Sequence, residues 1–368
     1  MAKEMSEELS FKLMEAMHRV EQLYYETNGK CYLSFSGGKD STVILAIIKL
    51  CEEICTIPKN AIPAVYCDTR IELNATKEFV EWVRDNWYGN VEIIYPEKPF
   101  YSVIKEYGKP MKSKMKSEYL NRWQRPNASP EAKEYSFRQL MAVDDTIDNP
   151  SQYYKTTKIA NKDLHLMHPD FDIRISSKCC DILKKKPFEV YSKTHDVAGY
   201  FLGERMDEGG ARYITAKRRL AEGGKLCTKT KGSRIVKMPI IDWTDENIAE
   251  FIEYYNVPLS RAYTEYGLER TGCYLCPFSL QLKQNLEILK IHEPTSYRAS
   301  MAFLKDVYIA QDIELPFDEQ YEKERLETWE NKYHKMRFEM LDKYRQGTSL
   351  HKRYTRGLVK FNNGDTNE

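Results

Sequence analysis

The sequence predicts an α/β fold: a parallel, doubly wound sheet flanked by helices, with a helical C-terminal extension. Three observations carry this. A short apolar run at residues 31–35 turns through Gly37 and Gly38 into a strongly apolar segment at 43–50, the pattern of strand, tight turn and helix. Strand-like and helix-like segments then alternate as far as residue 95, which argues parallel βα units rather than hairpins. Further apolar runs at 197–202 and 235–241 supply later strands.

In chain order, Leu9, Leu13, Met17, Val20 and Leu23 recur every three or four residues, so 6–26 is an amphipathic helix that Asn28-Gly29 closes. Residues 62–66 form a second strand, ending at Cys67-Asp68-Thr69. Open α/β sheets take ligands at the carboxyl ends of their strands, so Asp68 and Thr69 belong near the first glycine turn. A helix at about 73–87 and a strand at 91–95 continue the alternation. Residues 100–175 are less regular and rich in Lys and Arg at 109–116 and 122–125, a solvated surface or a substrate-facing insertion. His165 and His168 read as ordinary polar residues. After the strand at 197–202 comes a charged glycine loop, 203–212. From Arg212 to Lys237 nine Lys and Arg face the single acid Glu222, a surplus suited to an anionic ligand or nucleic acid. Asp242 or Thr244 caps a helix that buries Ile248, Phe251, Ile252 and Tyr255. The remainder is helical. Leu326, Trp329, Tyr333, Met336 and Met340 form a core stripe or a seam for a partner helix, and the tail after about 346 is basic, then polar and frayed. The division expected is an α/β domain at 1–258 and a helical region at 259–368.

The chain has 368 residues and a formal charge of +1, so no global field directs it toward a polyanion or a membrane. No apolar run reaches the ~18 residues of a membrane helix, and no signal-peptide pattern opens the chain, so a cytoplasmic location is expected. Nine cysteines in a reducing compartment are not a disulfide framework. Cys31, Cys51, Cys55 and Cys67 lie in apolar surroundings and read as buried thiols.

Two stretches carry chemistry. Ser36-Gly-Gly-Lys-Asp-Ser41 opens a helix directly after a strand, where outward N–H groups and the positive end of the helix dipole make a seat for phosphate. The spacing is neither that of a Walker loop nor G-x-G-x-x-G. The second stretch is a cysteine constellation. Cys273 and Cys276 form a C-x-x-C, and Cys179 and Cys180 are adjacent. Two close pairs suit a tetrathiolate metal site, a 4Fe–4S cluster or zinc, with adjacent ligands better matched to the separate irons of a cubane. His195 and Cys227 are spare donors that nothing pairs.

Ser36–Ser41 resembles the pyrophosphate loop (PP-loop) of the ATP pyrophosphatases. Together with Asp68-Thr69, the Cys179-Cys180 motif and its trailing lysines, the 203–212 loop, the 239–243 segment and Gly272-Cys273-Tyr-Leu-Cys276, the chain resembles the phosphoadenosine phosphosulfate (PAPS) reductase family over about residues 30–280. The Cys pairs are similar to those of cluster-bearing adenylylsulfate reductases, and the segments around them to PAPS-reductase-like proteins of phages and mobile elements. The resemblance implies the adenine-nucleotide α-hydrolase fold. It implies a nucleotide over Ser36, Gly37, Gly38, Lys39, Asp40 and Ser41, with Asp68, Thr69, Arg205 and Arg212 nearby, and a cluster on Cys179, Cys180, Cys273 and Cys276. Lys39, Asp40 and Arg205 would act on the phosphates, with magnesium. True reductases of the family attack sulfur with a cysteine in a C-terminal tail, whereas no cysteine follows Cys276 in this sequence; Cys227 is the remaining thiol in the basic loop. The expected function is therefore ATP cleavage to AMP and pyrophosphate that activates an acceptor, nucleic acid among the candidates, for sulfur transfer. A sulfonucleotide reductase and a non-catalytic nucleotide-binding subunit are the alternatives. Expected partners are an adenine nucleotide, a nucleic acid or sulfur-donor protein, and a further subunit through the C-terminal helices.

Overall fold

A computed structural model describes residues 4–142 and 156–345, so the tail after 346 and part of the 100–175 insertion lie outside the described residues. The chain forms two compact units, one of Met1–Glu97 with Leu183–Cys273 and the other of Lys98–Ile182 with Tyr274–Glu368. This division is discontinuous, unlike the consecutive segments 1–258 and 259–368 that the sequence suggests. Contacts between residues far apart in the chain set it, and these leave no local signature.

The first unit is α/β. Its six strands are β1 (Cys31–Phe35), β2 (Ala64–Cys67), β3 (Val91–Ile94), β4 (Gly199–Phe201), β5 (Thr228–Lys231) and β6 (Arg234–Lys237), in the order β3-β2-β1-β4-β6-β5. All neighbours are parallel except β5 and β6, which pair antiparallel. The sequence reading does not anticipate β5. Lys, Thr and Arg around Gly232 look like a solvated loop, yet Gly232 at φ 63° closes a hairpin. The order reverses between β1 and β4, the switch point at which open sheets bind ligands.

Both faces of the sheet are covered, as a parallel sheet requires. Successive β1 side chains alternate: Cys31, Leu33 and Phe35 enter one core, and Tyr32 enters the other. The first core is filled by helix α1 (Glu7–Glu26), helix α2 (Lys39–Glu53) and the helix Asp245–Tyr255. Ser6 caps α1 by accepting from Leu9 N, and Leu9, Leu13, Ala16, Val20 and Leu23 are its buried face. Thr244 and Asn247 close a reciprocal capping box on Asp245–Tyr255. Helix α3 (Asn74–Trp82) continues as a π-turn, Val83–Trp87, which matches the helix expected at 73–87. On the opposite face, the helix Lys186–Thr194 lays Phe188 and Tyr191 over Tyr32 and Val65. Cys31, Cys51 and Cys67 are buried, but Cys55 is exposed. It sits just past the end of α2 at φ 60°, where the chain turns back rather than inward.

The second unit is helical among its described residues. Where the sequence looks irregular, the helices Phe100–Tyr107, Lys114–Gln124 and Pro130–Met141 form, the last two capped by Ser113 and Ser129. The charged residues interspersed through them hide the periodicity. Leu282–His292, Pro294–Ala310, Glu319–Thr328 and His334–Arg345 complete the unit. Of the expected apolar stripe, Trp329, Tyr333 and Met340 are buried, but Leu326 is 53% exposed. The π-turn Trp329–Tyr333 shifts the helical phase, so before it the buried face carries Tyr321 and Arg325 and not Leu326. His165 is not an ordinary polar residue. It is fully buried, its Nε2 lies 2.7 Å from the Ala310 carbonyl oxygen, and its ring packs edge-on against Trp329. Among the described residues, no helix is long and apolar enough to cross a membrane.

Candidate functional site

The glycine turn sits at the carboxyl end of β1, at the switch point. Gly37 adopts φ 68°, and a Cβ there would lie 2.9 Å from Thr76 Cγ2 and 3.0 Å from Val80 Cγ2, so only glycine fits against α3. Gly38 stands at the N-cap of α2 and, being glycine, offers no side chain of its own to cap it. The hydroxyls of Ser41 and Thr42 donate to the Gly38 carbonyl at 2.9 and 3.0 Å and pin the turn from behind. Gly38 N donates to Ser36 Oγ at 3.3 Å, and Ser36 Oγ lies 3.1 Å from Ser41 Oγ. Lys39 N donates to the Tyr263 hydroxyl at 3.0 Å, and that hydroxyl lies 3.2 Å from Thr271 Oγ1. A neutral hydroxyl therefore occupies one amide of the helix's positive end, the kind of group an anion attracts.

The loop after β4 locks onto this turn. A Cβ at Gly203 would lie 3.2 Å from Ser41 N. Just beyond, Arg205 is 2% exposed, donating from Nε to Asp40 Oδ1 at 2.8 Å and from Nη2 to Asp245 Oδ1 at 2.7 Å. Burial weighs against the guanidinium charge, but Asp40 and Asp245 more than restore it, so its pKa is raised. Lys39 Nζ lies 3.0 Å from Asp245 Oδ1. Burial likewise opposes charge on Asp245, yet Lys39 and Arg205 leave its pKa lowered. Lys39, Asp40 and Arg205 thus form one network with Asp245, a carboxylate that the sequence reading missed. Arg205 is spent as the clamp of that network. Arg212 lies apart from it, paired with Glu208, which also accepts from Arg270 at 2.5 Å.

At the end of β2, Thr69 donates to the Glu72 carboxylate from N at 3.0 Å and from Oγ1 at 2.6 Å, while Asp68 accepts from Arg70 N at 2.8 Å. Their polar groups are used locally. The residues that face the open space are Tyr66, Cys67, Glu72 and Thr76, lining a cavity of about 500 Å³ beside Ser36, Thr271 and Gly272. Its floor is aromatic: Tyr32 stacks with Phe188 at 5.8 Å and with Tyr200 at 5.4 Å. Its rim is cationic, with Lys184, Lys185, Lys229, Lys231 and Arg234. Lys229 pairs with Glu204 at 2.7 Å and Lys231 with Glu189 at 3.3 Å, so part of this charge is already balanced. Burial, with Glu72 next, pushes the Cys67 thiol up to about 12. An aromatic floor, a cationic rim and a glycine turn at a helix N-terminus together suit a phosphorylated heterocycle. A flat stacking surface of this kind has no motif in the sequence; the register that sets Tyr32 opposite Tyr200 across β1 and β4 assembles it.

Cys273, in the first unit, makes an isolated antiparallel bridge with Glu72. Cys179, Cys180 and Cys276 belong to the second. Soft thiolate chemistry suits a cluster or zinc, but among the described residues no group of three or more His, Cys, Asp or Glu side chains is gathered to hold a metal ion. Cys227 lies outside the cavity wall, its Sγ 3.6 Å from Thr228 Oγ1.

The phosphoadenosine phosphosulfate reductase domain, as a family model, matches residues 30–129 and 132–279. Among solved structures, a phosphoadenylyl-sulfate (PAPS) reductase from Candida auris, in a phosphate complex, is similar to this chain with a TM-score of 0.40 and 11% identity, covering 74% of this chain and 98% of that one. No curated protein matches the chain.

Proposed function

This chain belongs to the phosphoadenosine phosphosulfate reductase family, and from that premise we propose that it is an enzyme that binds ATP in the cavity of its first unit and cleaves it to AMP and pyrophosphate. The observation that carries this reading is the meeting, in one unit, of the glycine turn that opens α2 with the aromatic, cation-rimmed cavity that Ser36 lines. An acceptor oxygen would attack the α-phosphorus, the bond from that phosphorus to the bridging oxygen would break, and pyrophosphate would leave. A sulfur nucleophile would then displace AMP. The loop amides and Lys39 would hold the departing charge. Asp40, tied to Arg205, keeps Lys39 and the loop in one frame through Asp245. Magnesium would come with the nucleotide, held mainly by its phosphates; Asp40 could join it only in competition with Arg205.

A specific observation sets ATP ahead of a sulfonucleotide. The thiol in the cavity wall, Cys67, is 7% exposed and donates to the Leu183 carbonyl at 3.3 Å, so it is held as a buried thiol, whereas reductive attack on sulfur needs an accessible thiolate. The cationic segment 212–237 supports a nucleic acid as the acceptor, with the sulfur donor a separate protein. The two cysteine pairs support a 4Fe–4S cluster, or zinc in its place, on donor chemistry alone.

The test is direct. Protein purified without oxygen is analysed for iron, sulfide and zinc, then incubated with ATP, adenylylsulfate or PAPS. Pyrophosphate release from ATP upholds the reading. Sulfite from either sulfonucleotide would make the chain a reductase, and tight nucleotide binding without turnover would make it a binding subunit. Stoichiometric zinc without iron would replace the cluster.

A further inference from the structure

Two hydroxyls in the cavity wall are unused. Tyr66 is 3% exposed and Thr76 is 1% exposed; both line the cavity, and neither Tyr66 OH nor Thr76 Oγ1 has a hydrogen-bond partner. A buried hydroxyl left unpaired costs roughly 1–3 kcal/mol. A phenylalanine and a valine would fill the same space without that cost. Helical threonines commonly return their hydroxyl to a carbonyl one turn back, and Thr76 does not. Both residues adjoin the glycine turn: Tyr66, the penultimate residue of β2, pairs with Phe35 at the end of β1, and Thr76 Cγ2 sits where a Gly37 Cβ would clash.

The surroundings decide what these hydroxyls can take. The charges acting most strongly on Tyr66 are the carboxylates of Glu72 and Asp68. Glu72 is 5% exposed, with Lys184 3.6 Å away, and Asp68 has Lys77 at 3.7 Å. An anionic group beside Tyr66 would meet two carboxylates already matched by those lysines, whereas a neutral group meets no such repulsion. Each hydroxyl both donates and accepts.

We propose that Tyr66 and Thr76 are specificity residues that hold a neutral, hydrogen-bonding edge of the ligand, an amino-purine or ribose hydroxyl edge, while the loop holds the phosphates. This rests on the adenine-nucleotide reading above and adds what selects the nucleoside.

The test compares Tyr66→Phe and Thr76→Val with the unaltered protein in titration calorimetry against ATP, adenosine and inorganic pyrophosphate, with melting temperatures measured alongside. Each variant is expected to weaken ATP and adenosine binding by about three- to tenfold, the worth of one neutral hydrogen bond. Pyrophosphate binding stays the same, and melting temperature holds or rises because no native partner is lost. Unchanged affinity with a lower melting temperature would overturn the proposal and make the hydroxyls structural, satisfied by water. Weaker pyrophosphate binding would overturn it by turning them toward the phosphates. If the unaltered protein binds neither ATP nor adenosine, the nucleotide reading itself fails and this inference falls with it, a result visible before any variant is made.

Discussion

Replacing Arg205 with Met separates a clamp from a ligand contact. The guanidinium is 2% exposed and faces Asp40 at 2.8 Å, Asp245 at 2.7 Å and Asp207 at 3.6 Å. Nη1 also donates to the Trp243 carbonyl at 3.3 Å. The three carboxylates are not equal. Asp245 is 61% exposed and Asp207 42% exposed, so solvent screens both, and each contributes at most about 1 kcal/mol. Asp40 is 19% exposed, and its charged hydrogen bond is worth about 1.5–3 kcal/mol. The variant should therefore lose about 2–4 kcal/mol, below the cost of breaking a wholly buried pair. For a unit of this size that is a drop in melting temperature of about 4–16 °C, read by tryptophan fluorescence. Arg205→Lys keeps the charge but not the planar fork, and should fall between the two. Added salt should change the difference little, because the guanidinium itself is buried. The reasoning is refuted if Arg205→Met melts like the unaltered protein while ATP affinity falls a hundredfold; Arg205 would then touch the nucleotide.

Three further outcomes follow from the same physics. Gly37→Ala forces a side chain into φ 68° and within 3.0 Å of both Thr76 and Val80, and should cost about 2–3 kcal/mol in urea unfolding, whereas Gly38→Ala, with φ −89°, should cost under about 1 kcal/mol while still narrowing the seat. Burial lowers the pKa of His165 to about 4 from its ordinary 6.5. The unfolded chain then binds a proton that the fold refuses. Stability is whole above pH 6.5 and is lost as pH falls toward 4, by about 3 kcal/mol; urea midpoints at pH 7 and 4.5 should show a steeper loss than in His165→Phe, and equal slopes would contradict the assignment. Burial pushes the Cys31 thiol up to about 11 and those of Cys51 and Cys67 up to about 12. Brief iodoacetamide treatment of the native protein at pH 8 should leave all three unmodified by mass spectrometry while exposed Cys55 is labelled.

Much of the first unit is legible along the chain because its signals are local. A short apolar run marks β1, a period of 3.6 marks α1, and a glycine pair between strand and helix marks the turn. The same locality explains the omissions. β5 is a short, cationic edge strand with a half-solvated face, so its composition resembles a loop. The helices at 114–141 are so charged that their apolar face is hard to see, although Ser113 and Ser129 cap them as a reading for helix starts would ask.

The candidate site divides the same way. By itself the sequence determined that a glycine turn opening a helix lies at the carboxyl end of the first strand, because glycine geometry and the helix dipole depend only on neighbouring residues. What Arg205 does was decided by tertiary structure: its partner Asp40 is 165 positions away, and a charge that looks free along the chain is committed in space. The cavity was decided there too. Tyr32, Tyr66, Thr76, Phe188 and Tyr200 come from separate strands and helices, and only the parallel register of β1 with β2 and β4 brings them around one ligand-sized space. Burial and pairing are properties of contacts at a distance, so no residue's neighbours in sequence could have specified them.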